Sequence, residues 1–362
     1  VVGDLLSASL PPEVRLGPAV GEDAALVEIG GELWAVASDP ISFTSSEAGR
    51  LAVIVNANDV AVRGARPLLF LAVGLIAPSE ASRERIRELL RQIQETCEEV
   101  GATLIGGHTE VTPGLTHSIV VGTMLGKIEE TALTTGGLRE GDSIGMTRQA
   151  GLEGTAILLA EHGDRLRQIS GASFPPVDPD LTSGHWLLVS REALTAARCS
   201  GVTALHDVTE GGVGEALHEM ATASGLHIEV ERDSIPVLEE PSAICSSLGL
   251  DPLGLIGSGS ILVGCRKSGR NQVEAVFGEM GLPFEWIGEA SRAEGGSTTL
   301  PRFPRDELIK TTVFDNVEAV IFDMDGTLVD SSYDWPDIRR RLGVHGGSII
   351  DDLNGLPEPE RS

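Results

Sequence analysis

Asn58-Asp59-Val60-Ala61-Val62-Arg63-Gly64-Ala65-Arg66-Pro67 runs straight into Leu68-Leu-Phe-Leu-Ala-Val-Gly-Leu-Ile-Ala77, ten apolar residues without a charge. An uncharged run of this length, rich in Leu, Val and Ile, reads as a buried strand, and two more begin at Trp34 and Thr116, ending at Ser38 and Leu125. Between the run at 67–76 and the one at 116–125, Ile86, Leu89, Leu90, Ile93, Cys97 and Val100 repeat at offsets 0, 3, 4, 7, 11 and 14. Arg and Glu fill the opposite face and Gly101 supplies a stop, so the spacing predicts an amphipathic helix laid on a sheet.

Working outward, Thr134 to Asp142, with adjacent glycines and a closing Gly-Asp, reads as a linker or sharp turn into a second block. That block combines helical patterns at Trp186 to Ala197 and Val213 to Ala223 with strand-like runs at His227 to Val230 and Ser260 to Val263. Strands and helices without a strict βαβ rhythm predict an α+β class. A third block opens with Val317, Ala319, Val320, Ile321 and Phe322, a short strand pattern feeding Asp323-Met-Asp325-Gly-Thr-Leu-Val-Asp330. The expected domains are therefore 1–136, 137–311 and 312–362.

Composition limits the chemistry. The chain has 362 residues, 27 Lys plus Arg against 54 Asp plus Glu, and a formal net charge of −27. Such a surface repels phosphate backbones and anionic lipid, so neither nucleic acid nor membrane is expected as a partner. An anionic substrate would need a local device, either a carboxylate-held metal or backbone N–H groups. Only Lys127, Lys267 and Lys310 are lysines, and none lies in G-x-x-x-x-G-K-[ST], which excludes a P-loop. Cys97, Cys199, Cys245 and Cys265 show no C-x-x-C spacing and read as reduced, buried thiols of a cytoplasmic protein. The longest apolar run is half of the roughly 20 residues that a membrane span needs.

Four short motifs concentrate Asp, Asn, Gly and Thr at expected strand ends: Gly21-Glu22-Asp23-Ala24-Ala25, Ser38-Asp39-Pro40, Asn58-Asp59-Val60-Ala61 and Gly106-Gly107-His108-Thr109-Glu110. Taken singly, each reads equally as a turn or a helix cap. Brought together, the carboxylates would repel one another unless a hard cation neutralised them, and Mg²⁺ favours oxygen ligands shared with substrate phosphates. Together they point to a Mg²⁺-nucleotide site.

In this order, and followed by GLEGTAILLAEHG (151–163) and HDVTEGGVGEALHEMA (206–221), the motifs resemble the AIR synthase-related (PurM-like) superfamily. Its members include AIR synthase, selenophosphate synthetase, thiamine-monophosphate kinase and the hydrogenase maturation factor HypE. The Asp-x-Thr-x-Gly-Gly form of 207–212 is nearest the HypE-like branch. The resemblance covers about residues 15 to 311. It implies two PurM-like α+β domains, a homodimer formed through the N-terminal sheet, and ATP in the cleft between domains. By residue, it implies Asp23, Asp39 and Asp59 as Mg²⁺ ligands and Asn58 as a neighbour orienting their loop. Gly106, Gly107 and Thr109 would admit the phosphates, and Asp207, with Gly211 and Gly212 opening a helix, would face nucleotide or acceptor. Several relatives have Asp where this chain has His108, and imidazole is a poor Mg²⁺ ligand. Either His108 donates to phosphate or acceptor, or Glu110 takes the metal role, or the position is structural. HypE carries its carbamoyl group on a C-terminal cysteine, whereas Leu300-Pro-Arg-Phe-Pro-Arg305 contains none, so dehydration of a protein-bound thiocarbamate is not expected here.

The third block resembles the first motif of haloacid dehalogenase (HAD)-type phosphatases, an α/β HAD-like (Rossmannoid) fold. There Asp323 would attack phosphorus and Asp325 protonate the leaving group. No lysine follows Lys310, so a truncated, inactive fragment is expected. The leading expectation is an ATP- and Mg²⁺-dependent enzyme that phosphorylates an amide or carbonyl oxygen of an unidentified small-molecule or protein acceptor. Its rivals are a non-catalytic nucleotide-binding or scaffolding protein, and a bifunctional product whose phosphatase half is completed in a longer chain.

Overall fold

The computed structural model describes residues 10–42, 47–159, 163, 185–292 and 296–310. All of them fall within one compact unit spanning residues 1–328. Asp323 and Asp325, with the rest of the third block, lie outside the described residues.

The first half is built on a seven-stranded sheet: β1 (Val14–Leu16), β2 (Ala25–Ile29), β3 (Glu32–Ala37), β4 (Pro40–Ile41), β5 (Ala65–Ile76), β6 (Thr103–Val111) and β7 (Ile119–Ile128). The order is β1-β2-β3-β7-β5-β6, with β4 also on β7. Every pairing is antiparallel except β5 with β6, which run parallel because a helix crosses between them. That helix, Arg83–Val100, is the one the apolar stripe predicts. Ser82 caps its start by accepting from the Arg85 N–H, and Gly101 ends it in the left-handed conformation at φ 76°. Leu89, Ile93 and Cys97 are buried against the sheet, but Leu90, part of the predicted stripe, is 45% exposed. It lines a groove of about 420 Å³ beside Leu104, Ile105 and His108 of the edge strand β6.

A second helix, Ala48–Val62, is a departure from the sequence reading, which placed Asn58 and Asp59 in a loop at a strand end. Both residues lie in the last two turns of this helix. Its periodicity is hidden because 12 of its 15 residues are buried, so no polar face stands out against an apolar one. One side packs on the sheet through Ala52, Val53, Ala57 and Val60. Ala61 and Val62 join a different core with Val189, Ala193, Leu205, Val263 and Phe277 of the second half. We call the Ala48–Val62 helix α1 and the Arg83–Val100 helix α2.

The second half carries a six-stranded sheet of order β13-β10-β12-β8-β11-β9. Its strands are β8 (Ser143–Thr147), β9 (Val202–Asp207), β10 (His227–Val230), β11 (Ile261–Cys265), β12 (Phe284–Ser291) and β13 (Ser297–Thr298). The helices are α3 (residues 152–159), α4 (Ser190–Ala197), α5 (Gly212–Ser224), α6 (Glu239–Leu248) and α7 (Arg270–Glu279). The helical pattern from Trp186 is realised as a 3-10 turn at His185–Leu187, followed by α4. The side chain of Asn58 explains the break, since it donates to the Leu187 carbonyl at 2.8 Å and accepts the Val189 N–H at 2.9 Å, taking backbone groups that a continuous helix would use. All four cysteines are buried and unpaired. Both halves mix α and β in the α+β manner.

Candidate functional site

Four carboxylates converge where α1 meets the second half. Asp23 precedes β2, Asp39 lies between β3 and β4, Asp59 is on α1, and Asp207 ends β9. Asp59 is hydrogen-bonded to Asp39 and lies within electrostatic reach of Asp23 and Asp207. Burial, and then the charge of Asp39, hold the Asp59 carboxyl well above the ordinary carboxylate range. Burial followed by the charge of Asp23 pushes Asp207 up to about 7. One oxygen of each, Asp59 Oδ2 and Asp207 Oδ1, is buried without a hydrogen-bond partner although the residues are only 3% and 4% exposed.

Behind this cluster lies a network that the motif reading did not assign. Arg63, fully buried, is paired with Glu22 and also donates from Nη2 to Asp23 Oδ2 at 2.7 Å and to Thr135 Oγ1 at 2.9 Å. Glu22 accepts the backbone N–H groups of Thr135 and Gly136, each at 3.1 Å. His206 bridges the halves, with Nδ1 3.1 Å from Asp23 Oδ2 and Nε2 2.9 Å from Glu219 Oε2. Burial disfavours its charged form, but the charges and hydrogen bonds of Asp23 and Glu219 outweigh that and raise its pKa well above the ordinary value. Asp23 moves the other way: burial raises it, but His206 and then Arg63 bring it below the usual range.

Asp23, His206 and Asp207 are close enough to hold a metal among the described residues. An imidazolium facing a carboxylate on each nitrogen has no lone pair to offer, however, so His206 is a counter-charge here. The network could have been noticed from Asn56, Asp59 and Arg63, polar residues at spacings of three and four in a stretch, 51–63, that is otherwise apolar apart from Asn58.

Glu22, Asp23, Asp39, Asp59, Asp207 and Glu219 together face two cationic side chains, Arg63 and His206. The orphaned oxygens of Asp59 and Asp207 are the donor type that a hard divalent cation such as Mg²⁺ takes, and Asp207 shares ligand-distance spacing with Asp23 and His206 among the described residues.

The remaining predicted residues lie elsewhere. Gly106, Gly107, His108, Thr109 and Glu110 sit in the middle of β6 on the sheet edge, not at a strand end, and are exposed. His108 Nε2 is 3.3 Å from Glu110 Oε2, and Glu110 also accepts from Thr112 at 3.0 Å. Gly107 has a packing reason: at φ 148°, a Cβ there would lie 1.8 Å from the Ala72 carbonyl oxygen of β5. Gly211 and Gly212 do open α5, with φ of 75° and 61°. The Gly211 N–H is already taken by Asp306 Oδ2 at 2.8 Å, while Phe303 packs on Gly214 and Gly254 and Arg302 pairs with Glu215. The 302–306 segment is thus fastened across the start of α5. Asn58 ties α1 to the 187–189 segment of the second half.

Comparison with known proteins places the fold in a family. Residues 21–128 match the model for the AIR synthase related protein N-terminal domain, and residues 139–300 match the model for its C-terminal domain. A putative hydrogenase expression/formation protein of Methanocaldococcus jannaschii is 30% identical over 283 residues, covering 76% of this chain and 81% of that protein. The carbamoyl dehydratase HypE of Escherichia coli is 29% identical over 265 residues, covering 71% and 74%. A crystal structure of the hydrogenase maturation protein HypE in complex with ATP shares the fold at a TM-score of 0.64 and 24% identity, covering 81% of this chain and 92% of that one. With both domain models matched in order and a 30% identical relative covered over four-fifths of its length, the chain belongs to the AIR synthase-related family.

Proposed function

We propose that this chain is an ATP- and Mg²⁺-dependent enzyme that phosphorylates an amide or carbonyl oxygen of its acceptor. The observation carrying this reading is the pair of orphaned oxygens, Asp59 Oδ2 and Asp207 Oδ1, one from each half, with Asp59 within reach of the Asp207 charge. Asp39, Asp59 and Asp207 would hold the metal, with Asp23 as a further ligand. Bound there, Mg²⁺ supplies charge neutralisation for the transferring phosphoryl group. The protein's own part is positioning: it brings carboxylates from both halves together, buries them, and balances their charge with Arg63 and His206.

ATP is supported by the family and by the HypE structure of the same fold solved with ATP. The acceptor class is suggested by similarity to relatives such as the carbamoyl dehydratase HypE of Escherichia coli. A homodimer is supported by the β6 edge, exposed along its length with Ile105 52% and Val111 49% exposed. It would place Gly106, Gly107, His108, Thr109 and Glu110 at a subunit boundary, where His108 contacts phosphate or acceptor. Gly211 and Gly212 would approach the nucleotide from the start of α5. Asp323 and Asp325 would form a HAD-type phosphatase centre in a chain that also supplies a lysine later in its sequence.

ADP release from ATP should depend strictly on Mg²⁺ and vanish in Asp59→Asn while the circular dichroism spectrum is retained. Normal turnover by that variant would sink the metal assignment. Calorimetric ATP binding without turnover against any amide or carbonyl acceptor would favour the scaffolding reading instead.

A further inference from the structure

Asn56, Asp59 and Arg63 occupy one face of α1 and its C-terminal cap, at spacings of three and four residues. Asn56 and Arg63 are both wholly buried, in a helix whose other buried residues are Gly, Ala, Val and Ile apart from Asp59 and from Asn58, which turns to the 187–189 segment. Each polar group on this face meets a different part of the carboxylate cluster. Asn56 Oδ1 accepts the backbone N–H of Asp39 at 3.0 Å, and its Nδ2 is anchored on the Ala52 carbonyl at 2.8 Å. The Asp39 carbonyl in turn accepts the Gly122 N–H at 2.9 Å, so the Asp39 backbone is held from two sides. Gly122 leaves room for this arrangement, since a Cβ there would come within 2.5 Å of Asn56 Nδ2. One turn on, Asp59 contributes its own carboxyl and bonds Asp39. At the end of the helix, Arg63 holds Asp23 through Nη2 at 2.7 Å and is itself oriented by Glu22 and Thr135.

We propose that Asn56 and Arg63 are positioning residues of the divalent-cation site: α1 serves as a template whose helical repeat sets the placement of Asp39, Asp59 and Asp23. The proposal rests on the reading of that cluster as a Mg²⁺ site. Neither residue is assigned a contact with nucleotide or metal; Asn56 acts through the Asp39 backbone and Arg63 through the Asp23 carboxylate. A buried side chain that only filled space would not need to end on the two ligand-bearing loops, and groups that orient ligands commonly govern metal affinity nearly as strongly as the ligands do. Arg63 is suited to the task because its planar fork can satisfy Glu22, Asp23 and Thr135 together, which an ammonium group cannot reproduce.

The test is calorimetric titration of the full chain with MgCl₂ in the absence of nucleotide, on wild type, Asn56→Ala, Arg63→Lys and Asp59→Asn, with a thermal melt of each. Asn56→Ala and Arg63→Lys should each weaken Mg²⁺ binding about tenfold or more while retaining a cooperative melt. Unchanged affinity in either folded variant would overturn the proposal. Loss of the folded state in both would assign the two residues to stability alone and overturn it equally. If folded wild type binds no Mg²⁺, the site reading itself fails and takes the proposal with it. Wild-type binding that Asp59→Asn abolishes, with Asn56→Ala and Arg63→Lys binding normally, leaves the site reading standing and removes only the template.

Discussion

The helices α1 and α2 pack against the same sheet and against each other, yet they are built on opposite plans. α2 shows the ordinary division of a surface helix, with Leu89, Ile93 and Cys97 inward and Arg and Glu outward. α1 is sandwiched between the first sheet and the second half, with Ala, Val and Ile on several sides, a polar line at Asn56, Asp59 and Arg63, and Asn58 beside it bonded to the 187–189 segment. The helix that is easy to read holds the fold, and the helix that is hard to read carries the site. A functional helix between two cores loses the polar face that would have revealed it.

The comparison can be broken at either helix. The largest effect belongs to α1: Asp59→Asn should remove several kcal/mol of transition-state stabilisation, two to three orders of magnitude in turnover at about 1.4 kcal/mol per decade. The same change should leave the metal-free melting temperature equal or higher, because the neutral amide has the shape of the carboxyl and does not face the repulsion by Asp39, Asp207 and Asp23 that opposes its ionisation. A matching fall in stability would instead make Asp59 a structural residue. On α2, Ile93→Ala should cost about 2–5 kcal/mol in denaturant unfolding, since Ile93 is 1% exposed, while Mg²⁺ affinity of the folded fraction stays unchanged. If affinity fell as well, the division of labour between the helices would be wrong.

A smaller effect is expected from pH. Asp207, pushed up to about 7 by burial and then by Asp23, and Asp306, pushed up to about 7 mainly by burial, both favour their neutral forms in the folded protein. Their contribution to stability is complete below the unfolded carboxyl range near 4 and is lost as pH rises through about 7. His206, also raised, acts in the same sense, losing its contribution as pH climbs through its elevated pKa. Asp23, depressed by His206 and Arg63 against its burial, opposes them only in acid, below about pH 4. Metal-free protein should therefore melt lower at pH 8 than at pH 5.5, with a slope up to about 1.4 kcal/mol per pH unit for each group. Mg²⁺ should flatten that slope by stabilising the ionised site carboxylates, and a melt that rises with pH in EDTA would contradict the buried-carboxyl account. The smallest change is at the α2 cap, where Ser82→Ala should cost about 1 kcal/mol and leave both cation affinity and pH dependence untouched.

Much of this molecule was legible before any coordinates. The strands at β3, β5 and β7 announce themselves as uncharged runs, and α2 as a stripe with a glycine stop, because one-sided or complete burial leaves a direct trace in composition. The three Asp motifs of the first half were legible as candidates because carboxylates next to small residues in apolar surroundings need a reason to be there. His206, Glu219 and Thr135 were not, since each makes sense only through a partner: His206 meets Asp23 across 183 positions of chain, and Thr135 meets Arg63 across 72. The G-G-H-T-E motif shows the converse. Its composition suggested a phosphate loop, whereas its glycine at 107 is required by the closeness of β5, and its side chains stand on an open strand edge.

By itself, the sequence determined the α+β class, the family, the acidic character that calls for a cation, and which Asp residues were candidates, because these depend on local pattern and on motif order. Only the tertiary structure decided which carboxylates meet, which of their oxygens are left without a partner, and that two cations stand behind six acids. Those properties depend on through-space electrostatics and burial between residues far apart in the chain, and neither is written in the spacing of residues along it.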